Sequence, residues 1–169
     1  KKSPELQHCK IILGGPEVRN HVDNFLKHGA DVIVLGEGEI TFHEVINTLH
    51  EKKDLLTVKG VCYKNSMNEI IHTAEREKIK DLDTLPFPNR KKVNLQLYLD
   101  AWKKHHGKNA ISISTMRGCP YTCKWCSRAV YGLSYRRRSD ANVVDEMEQL
   151  KSKYQPDTIW FVDDVFMVS

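Results

Sequence analysis

The stretch from Ala110 to Cys126 reads AISISTMRGCPYTCKWC, and it decides how the rest of the chain is interpreted. Its first part, Ala110–Thr115, alternates apolar residues with serine and predicts a β-strand. Three cysteines follow directly, separated by three and then by two residues. Gly118 and Pro120 suit a loop that turns sharply at the first cysteine. The pattern therefore predicts a strand whose carboxyl end presents three thiols from one loop.

Three thiolates in one short loop are typical ligands of an iron–sulfur cluster. Cys119, Cys123 and Cys126 would leave one iron of a [4Fe–4S] cubane without a protein ligand, and thus open to an exogenous one. Two other interpretations remain. A structural zinc site would need a fourth ligand, for which His105 or His106 is available. A thioredoxin-like redox pair would leave one of the three cysteines without a role.

Composition limits the class of protein. The chain has 169 residues, of which 40% are hydrophobic and 28% charged, as is ordinary for an α/β protein holding one domain or parts of two. Five cysteines, three of them within eight residues, do not suit a disulfide framework. No apolar run approaches the roughly 18–20 residues of a membrane span. Without an initiator Met or an apolar leader, the start does not support a signal peptide, so we expect a cytoplasmic protein.

The first half alternates strand and helix patterns. Short apolar runs at Lys10–Leu13 and Asp31–Leu35 predict buried strands, and each precedes a glycine-containing loop and apolar residues at helical spacing. This order predicts a parallel sheet with right-handed crossovers. Cys9 and Cys62 lie in or beside predicted strands, and we expect both to behave as small buried hydrophobic residues.

Further elements are predicted on both sides of the cysteine loop. Gly60–Lys64 and Glu69–Thr73 alternate around a polar turn and predict a β-hairpin. Two prolines around Phe87 favour an extended connector. After the loop, apolar residues at helical spacing predict a helix that Ser139 or Asp140 could cap. Thr158–Val162 predicts the next strand, which ends in two aspartates.

The cysteine loop resembles the signature of the radical S-adenosylmethionine (SAM) superfamily, C-x₃-C-x-Φ-C, with Trp125 at the aromatic position. In that superfamily the three cysteines bind a [4Fe–4S] cluster, and SAM chelates the open iron. One-electron reduction then cleaves SAM to methionine and a 5′-deoxyadenosyl radical, which abstracts hydrogen from the substrate. The resemblance implies this cofactor set here, with Trp125 beside SAM.

The resemblance also bears on two polar segments. It implies that Asp163 and Asp164, at the end of the second barrel strand, contact the SAM amino group, which suits carboxylates. Strand-end solvation or helix capping is the alternative for both residues. Three arginines, Arg136–Arg138, are common after the cluster loop in one subgroup, where an arginine lies near the cofactor carboxylate. Here they could equally cap a helix, or form a solvated helix entrance or a nucleic-acid patch.

Two glycine-containing loops in the first half resemble the last two loops of a cobalamin-binding Rossmann-like domain, which lie near the nucleotide tail of vitamin B12. Glycines allow close backbone approach, and helix N-termini offer N–H donors. The residues to which the resemblance assigns this role are Gly14, Gly15, Gly36, Glu37 and Gly38. No Asp-x-His-x-x-Gly motif precedes Lys10, so no cobalt ligand is assigned.

The chain as a whole resembles the B12-binding-domain radical SAM proteins, which include anaerobic Mg-protoporphyrin monomethyl ester cyclases and many methyltransferases. We therefore expect an α/β chain with three parts. These are the C-terminal part of a Rossmann-like cobalamin-binding domain (1–58), a β-hairpin with a proline-containing connector (59–109), and the first βα units of a radical SAM partial TIM barrel (110–169). Further strands are expected beyond both ends, as in a fragment.

The resemblance implies cobalamin-dependent methyl transfer or cyclisation on a small-molecule substrate. It also implies an electron donor such as flavodoxin or ferredoxin, no membrane span and no nucleic acid. Two alternatives remain for the function of the chain. One is a zinc-stabilised nucleic-acid-binding module, and the other is a truncated fragment without catalytic activity.

Overall fold

The structure is a computed structural model, and it describes residues 4–126 and 131–166. Among the described residues, strands and helices alternate, and the strands form three small sheets, which confirms the α/β class. The chain divides into two compact units, Lys1–Ile79 with Trp125–Gly132 and Lys80–Lys124 with Leu133–Ser169. Within the described residues, no helix has both the length and the apolar character needed to cross a membrane.

The first unit contains a four-stranded sheet in the order β1-β2-β3-β4. Its strands are β1 (Ile12–Leu13), β2 (Val32–Val34), β3 (Val61–Lys64) and β4 (Ile70–His72), and its helices are α1 (Val22–Lys27) and α2 (Gly38–His50). β1 and β2 are parallel, as predicted, whereas β2–β3 and β3–β4 are antiparallel. The predicted hairpin, β3 and β4, therefore lies in the same sheet as β1 and β2.

Alternation along β2 explains how this unit forms its core. Val32 and Val34 pack with Val45 of α2, whereas Ile33 packs in a second cluster with Leu26 of α1. Successive side chains of a strand point to opposite faces, so the two helices cover opposite faces of the sheet. Burying each such aliphatic side chain stabilises the fold by about 1.5–3 kcal/mol.

The two cysteines outside the motif differ in exposure. Cys62 of β3 is fully buried, which confirms the prediction for this residue. Cys9 is exposed, so the prediction for it is wrong. The reason is that β1 begins only at Ile12, and Cys9 follows a turn before the strand.

The second unit contains two pairs of strands and two long helices. Its elements are α3 (Leu95–His106), β5 (Ala110–Ile113), β6 (Met116–Arg117), β7 (Arg136–Arg137), α4 (Asp140–Tyr154) and β8 (Thr158–Phe161). β5 pairs with β8 in parallel, and β6 pairs with β7 antiparallel. Ser139 caps α4 by accepting a hydrogen bond from the Asn142 amide, which selects one of the two predicted caps.

A reciprocal contact sets the register where β5 and β8 begin. The Asn109 amide donates to the Asp157 carboxylate at 2.9 Å, and the Asp157 amide donates to the Asn109 side-chain oxygen at 2.8 Å. The Asn109 amide and the Lys103 ammonium hold the pKa of Asp157 below its usual range. The strands then pair from Ala110 with Thr158 onward.

Candidate metal and cofactor site

The cysteine loop leaves β5 through a segment that Asp163 holds in place. Asp163 follows β8, and its Oδ1 atom accepts hydrogen bonds from the Thr115 amide at 2.8 Å, the Ser114 hydroxyl at 3.1 Å and the Met116 amide at 3.3 Å. Its Oδ2 atom accepts from the Thr115 hydroxyl at 2.6 Å. We call these four hydrogen bonds the Asp163 junction.

The next two residues, Met116 and Arg117 of β6, pair with β7. Met116 pairs with Arg137, and Arg117 pairs with Arg136. Gly118 has a φ of +82°, and a Cβ atom built there would lie 2.2 Å from the carbonyl oxygen of Ser134. Only glycine fits this close approach, so the backbone forms a tight support directly before the first cysteine.

The structure places the three cysteines as follows. Cys119 forms an isolated bridge with Leu133 and is partly exposed, and Cys123 is exposed. The division between the two units falls after Lys124, so Cys126, also partly exposed, is assigned with the first unit. Trp125 is 89% exposed.

Two observations test whether the loop fits a metal group. Across residues 4–126 and 131–166, no three His, Cys, Asp or Glu side chains converge on a point that one metal ion could occupy. In an iron–sulfur cubane, the three cysteines would each bind a different iron. The motif supplies three thiols outside any disulfide, next to a backbone support that admits only glycine. This donor set fits an iron–sulfur cluster.

The predicted polar residues around the loop differ in their contacts. Asp163 is half-buried in its junction, whereas Asp164 is exposed. Arg137 donates to the Tyr135 hydroxyl at 2.6 Å. Arg138 donates to the Ser114 carbonyl at 2.8 Å, so it supports the end of β5. The predicted contacts of these residues with SAM stay predictions.

A buried carboxylate beside Arg138 was not predicted from the sequence. Glu146 of α4 is 2% exposed and accepts hydrogen bonds from Arg138 at 2.5 Å and from Arg90 at 2.7 Å. Arg138 also donates to the Asn142 side chain, and its guanidinium lies 5.2 Å from the Phe87 ring centroid. The available signal was the position of Glu146 on the face of α4 that buries Leu150, four residues later.

Two glycines of the candidate cobalamin loops in the first unit have positive φ values. Gly15 and Gly36 adopt φ values of +102° and +75°, and a Cβ at either position would meet nothing within 4 Å. Glu37 is buried, and its carboxylate accepts a hydrogen bond from the Ile79 amide at 2.7 Å. Gly36 and Glu37 help to line a cavity of about 360 Å³, together with Arg76. Space is therefore open beside the backbone at Gly15 and at Gly36.

Comparison with known proteins identifies relatives over most of the chain, although no protein-family model matches it. An uncharacterised methyltransferase of Pyrococcus horikoshii is 28% identical over 94% of the chain. An anaerobic magnesium-protoporphyrin IX monomethyl ester cyclase of Synechocystis is 30% identical over 84%. The cobalamin-dependent radical SAM methyltransferase TokK of Streptomyces tokunonensis is 29% identical over 82%. The matches cover 34%, 28% and 21% of these relatives' lengths, respectively.

Two solved structures share the fold. The cobalamin-dependent SAM radical enzyme OxsB, with aqua-cobalamin and SAM bound, matches 92% of the chain and 21% of its own length with a TM-score of 0.73 and 22% identity. The radical SAM methyltransferase TsrM of Kitasatospora setae, with tryptophan and a SAM analogue bound, matches 95% of the chain and 31% of its own length with a TM-score of 0.69 and 21% identity. The homologues of the chain therefore include a cobalamin-dependent radical SAM methyltransferase and anaerobic magnesium-protoporphyrin IX monomethyl ester cyclases.

Proposed function

We propose that the chain is part of a radical SAM enzyme in which Cys119, Cys123 and Cys126 bind a [4Fe–4S] cluster. The observation that supports this most directly is the C-x₃-C-x₂-C loop at the end of β5, in a chain whose relatives include a radical SAM methyltransferase. Together, the bound cluster and SAM supply one-electron cleavage of a sulfonium carbon–sulfur bond. The protein supplies the ligands, the orientation of the cofactors and exclusion of water.

In this proposal, different residues of the second unit bind the cluster and contact SAM. Cys119 and Cys123 provide thiolates, and Gly118 sets the direction in which the loop leaves β6. Asp164 is exposed at the end of β8, and its carboxylate is available to a cofactor ammonium. Three cysteines for four irons leave one iron for the SAM amino and carboxylate groups.

Trp125 and the loops of the first unit extend the proposal to cofactor contacts. The exposed indole of Trp125 is a flat apolar surface on which a cofactor can pack. Gly15 and Gly36 leave open space beside their backbones, which suits close approach by the nucleotide tail of cobalamin. The relatives that are named cobalamin-dependent support the same cofactor for the parent protein of this chain.

The names of the same relatives support methyl transfer or cyclisation on a small-molecule substrate as the reaction of the whole protein. Reduction of the cluster would need an electron donor such as flavodoxin or ferredoxin. A reducing compartment such as the cytoplasm suits a loop of three thiols.

Anaerobic reconstitution of the full chain with iron and sulfide tests the cluster. We expect the wild-type chain to bind iron and sulfide in equal amounts and to develop the broad visible absorbance of a cubane. Cys123→Ala should lose it. Cys9→Ala is the matched control, because Cys9 is also exposed but lies outside the motif. Zinc without iron in the wild-type chain, or equal iron in the wild type and Cys123→Ala, would contradict the proposal.

A further inference from the structure

The Asp163 junction lies close to the first cysteine in sequence. Its last donor is the Met116 amide, three residues before Cys119. Asp163 belongs to the segment after β8, whereas its partners belong to the segment after β5, so the junction connects the ends of two parallel strands. Within the second unit, this carboxylate thus fixes the point from which the cysteine loop departs.

Both oxygens of the Asp163 carboxylate are engaged by these contacts. An ionised carboxylate has about four acceptor sites. Three donors, including the Thr115 amide at 2.8 Å, use Oδ1, and the Thr115 hydroxyl at 2.6 Å uses Oδ2. A cofactor ammonium would have to compete with these donors for the same carboxylate. The neighbouring Asp164 is exposed.

We propose that Asp163 is a positioning residue of the cluster loop and not a contact of the cofactor; this inference rests on the proposed function. Asp163 orients the amides of Thr115 and Met116, and thereby the start of β6. β6 is paired with β7, and Gly118 then packs on the carbonyl of Ser134. The direction of the chain at Cys119 is therefore set through the backbone. Partners that orient metal ligands in this indirect way strongly affect metal affinity.

Two substitutions separate positioning from direct contact. Asp163→Ala removes all four hydrogen bonds of the junction. Asp163→Asn keeps an oxygen for the donors at Oδ1, and its amide can donate to the Thr115 hydroxyl after that hydroxyl rotates. A positioning role tolerates Asn because the geometry survives, whereas a charge contact with an ammonium does not tolerate it.

The matched control is Asp157→Ala. Asp157 joins the same two strands where they begin, through the Asn109 amide and side chain. Its loss therefore removes a comparable strand contact in the same unit, at the end opposite to the cysteine loop. Any effect that Asp163→Ala shares with Asp157→Ala reports general destabilisation.

The experiment measures the retention of the cluster. Reconstituted full-length variants are exposed anaerobically to an excess of an iron chelator, and the loss of visible absorbance is followed. We expect Asp163→Ala to lose iron about tenfold faster than the wild-type chain, with Asp163→Asn and Asp157→Ala within about twofold of it. The electron paramagnetic resonance spectrum of the reduced cluster should change in Asp163→Ala and, on addition of SAM, should respond normally in Asp163→Asn.

Several results would overturn the inference. One is iron loss from Asp163→Ala at the wild-type rate, and another is equally fast loss from Asp157→Ala. A third is an Asp163→Asn variant that keeps its cluster but no longer responds to SAM, because that would indicate direct contact. If the wild-type chain itself assembles no cluster, the proposed function fails first, and this result is distinct from the other three.

Discussion

Glu146 of α4 accepts a hydrogen bond from Arg90 at 2.7 Å, across 56 residues of sequence, and this ion pair is almost fully buried at the carboxylate. Arg138 approaches the other carboxylate oxygen at 2.5 Å. Two guanidinium groups therefore surround one carboxylate, and together they connect α4, the segment after the proline connector and the end of β5.

Replacing Glu146 with alanine should strongly destabilise the second unit. The substitution leaves Arg90 and Arg138 without the carboxylate they share, and breaking a buried ion pair by removing one partner costs about 3–5 kcal/mol. Chemical denaturation followed by circular dichroism measures this loss. Glu148→Ala is the control, because Glu148 is exposed on the same helix and should change the free energy of unfolding by less than about 0.5 kcal/mol. Equal effects of the two substitutions would show that the buried network contributes nothing specific.

Gly118→Ala should disrupt the cysteine loop. The added methyl group would lie 2.2 Å from the Ser134 carbonyl oxygen, and the backbone must also keep a φ of +82°. Gly107→Ala is matched in φ, at +78°, but its methyl group meets nothing within 4 Å. Only the backbone strain of about 1–2 kcal/mol applies there. We expect Gly118→Ala to take up less iron on reconstitution, and Gly107→Ala to take up the wild-type amount. Normal uptake by Gly118→Ala would mean that the support before Cys119 is dispensable.

Gly36→Ala tests the proposed cobalamin contact of the first unit. The space beside the Gly36 Cα is open, so a methyl group there would intrude only on a bound molecule. Gly29→Ala is the control, since Gly29 has a φ of +105° with nothing within 4 Å and follows α1 instead of β2. If the parent protein binds cobalamin at this loop, a spectroscopic titration of the full chain should show weaker binding by Gly36→Ala than by Gly29→Ala. Equal affinities would indicate that this space is not used.

Because of the Cys62 thiol, the free energy of unfolding of the first unit should decrease at alkaline pH. Burial, and to a smaller extent the charge of Asp23, raises the pKa of Cys62 to about 11. In the unfolded chain a cysteine ionises near pH 8.5, so the folded state resists ionisation above that pH. Stability is therefore unaffected below about pH 8.5 and falls as the pH rises toward 11. Denaturation at a series of pH values should show this decline in the wild type, and Cys62→Ala should reduce it.

Alkylation provides an independent measurement for the same residue. Near neutral pH, iodoacetamide should modify exposed Cys9 and leave buried Cys62 unmodified until the chain unfolds. Modification of Cys62 in the folded chain at a rate similar to that of Cys9 would contradict the assigned burial.

Sequence patterns predicted the elements whose signals are local. Ile111 and Ile113 alternate with serine, as a strand requires, and both are buried in β5. α3 was not predicted, although Leu95, Tyr98, Leu99 and Trp102 recur at helical spacing. Leu99 is buried there, whereas Tyr98 and Trp102 are exposed. The helical pattern was therefore present in the sequence, but two of its apolar side chains lie largely outside the core.

The contacts that position the cysteine loop join residues that are far apart in the sequence. Sequence spacing indicated the three cysteines, but the two residues of β7 pair with β6 across the whole cysteine loop and leave no local signal. Likewise, Asp163 and Asp164 are chemically identical in the sequence. Their different surroundings follow from the register of β5 and β8, because strand register decides which carboxylate meets Thr115.

The two aspartates that flank β8, Asp157 and Asp163, have a consequence for changes of chain length. Asp157 contacts Asn109, and Asp163 contacts Thr115; the two residues of each pair are 48 positions apart in the sequence. The paired residues of β5 and β8 are also 48 positions apart. A deletion or insertion of one residue inside either strand would leave one of the two carboxylates facing the wrong partner. Homologous sequences should therefore keep six positions from Asn109 to Thr115 and six from Asp157 to Asp163. Their lengths should vary only outside these two segments.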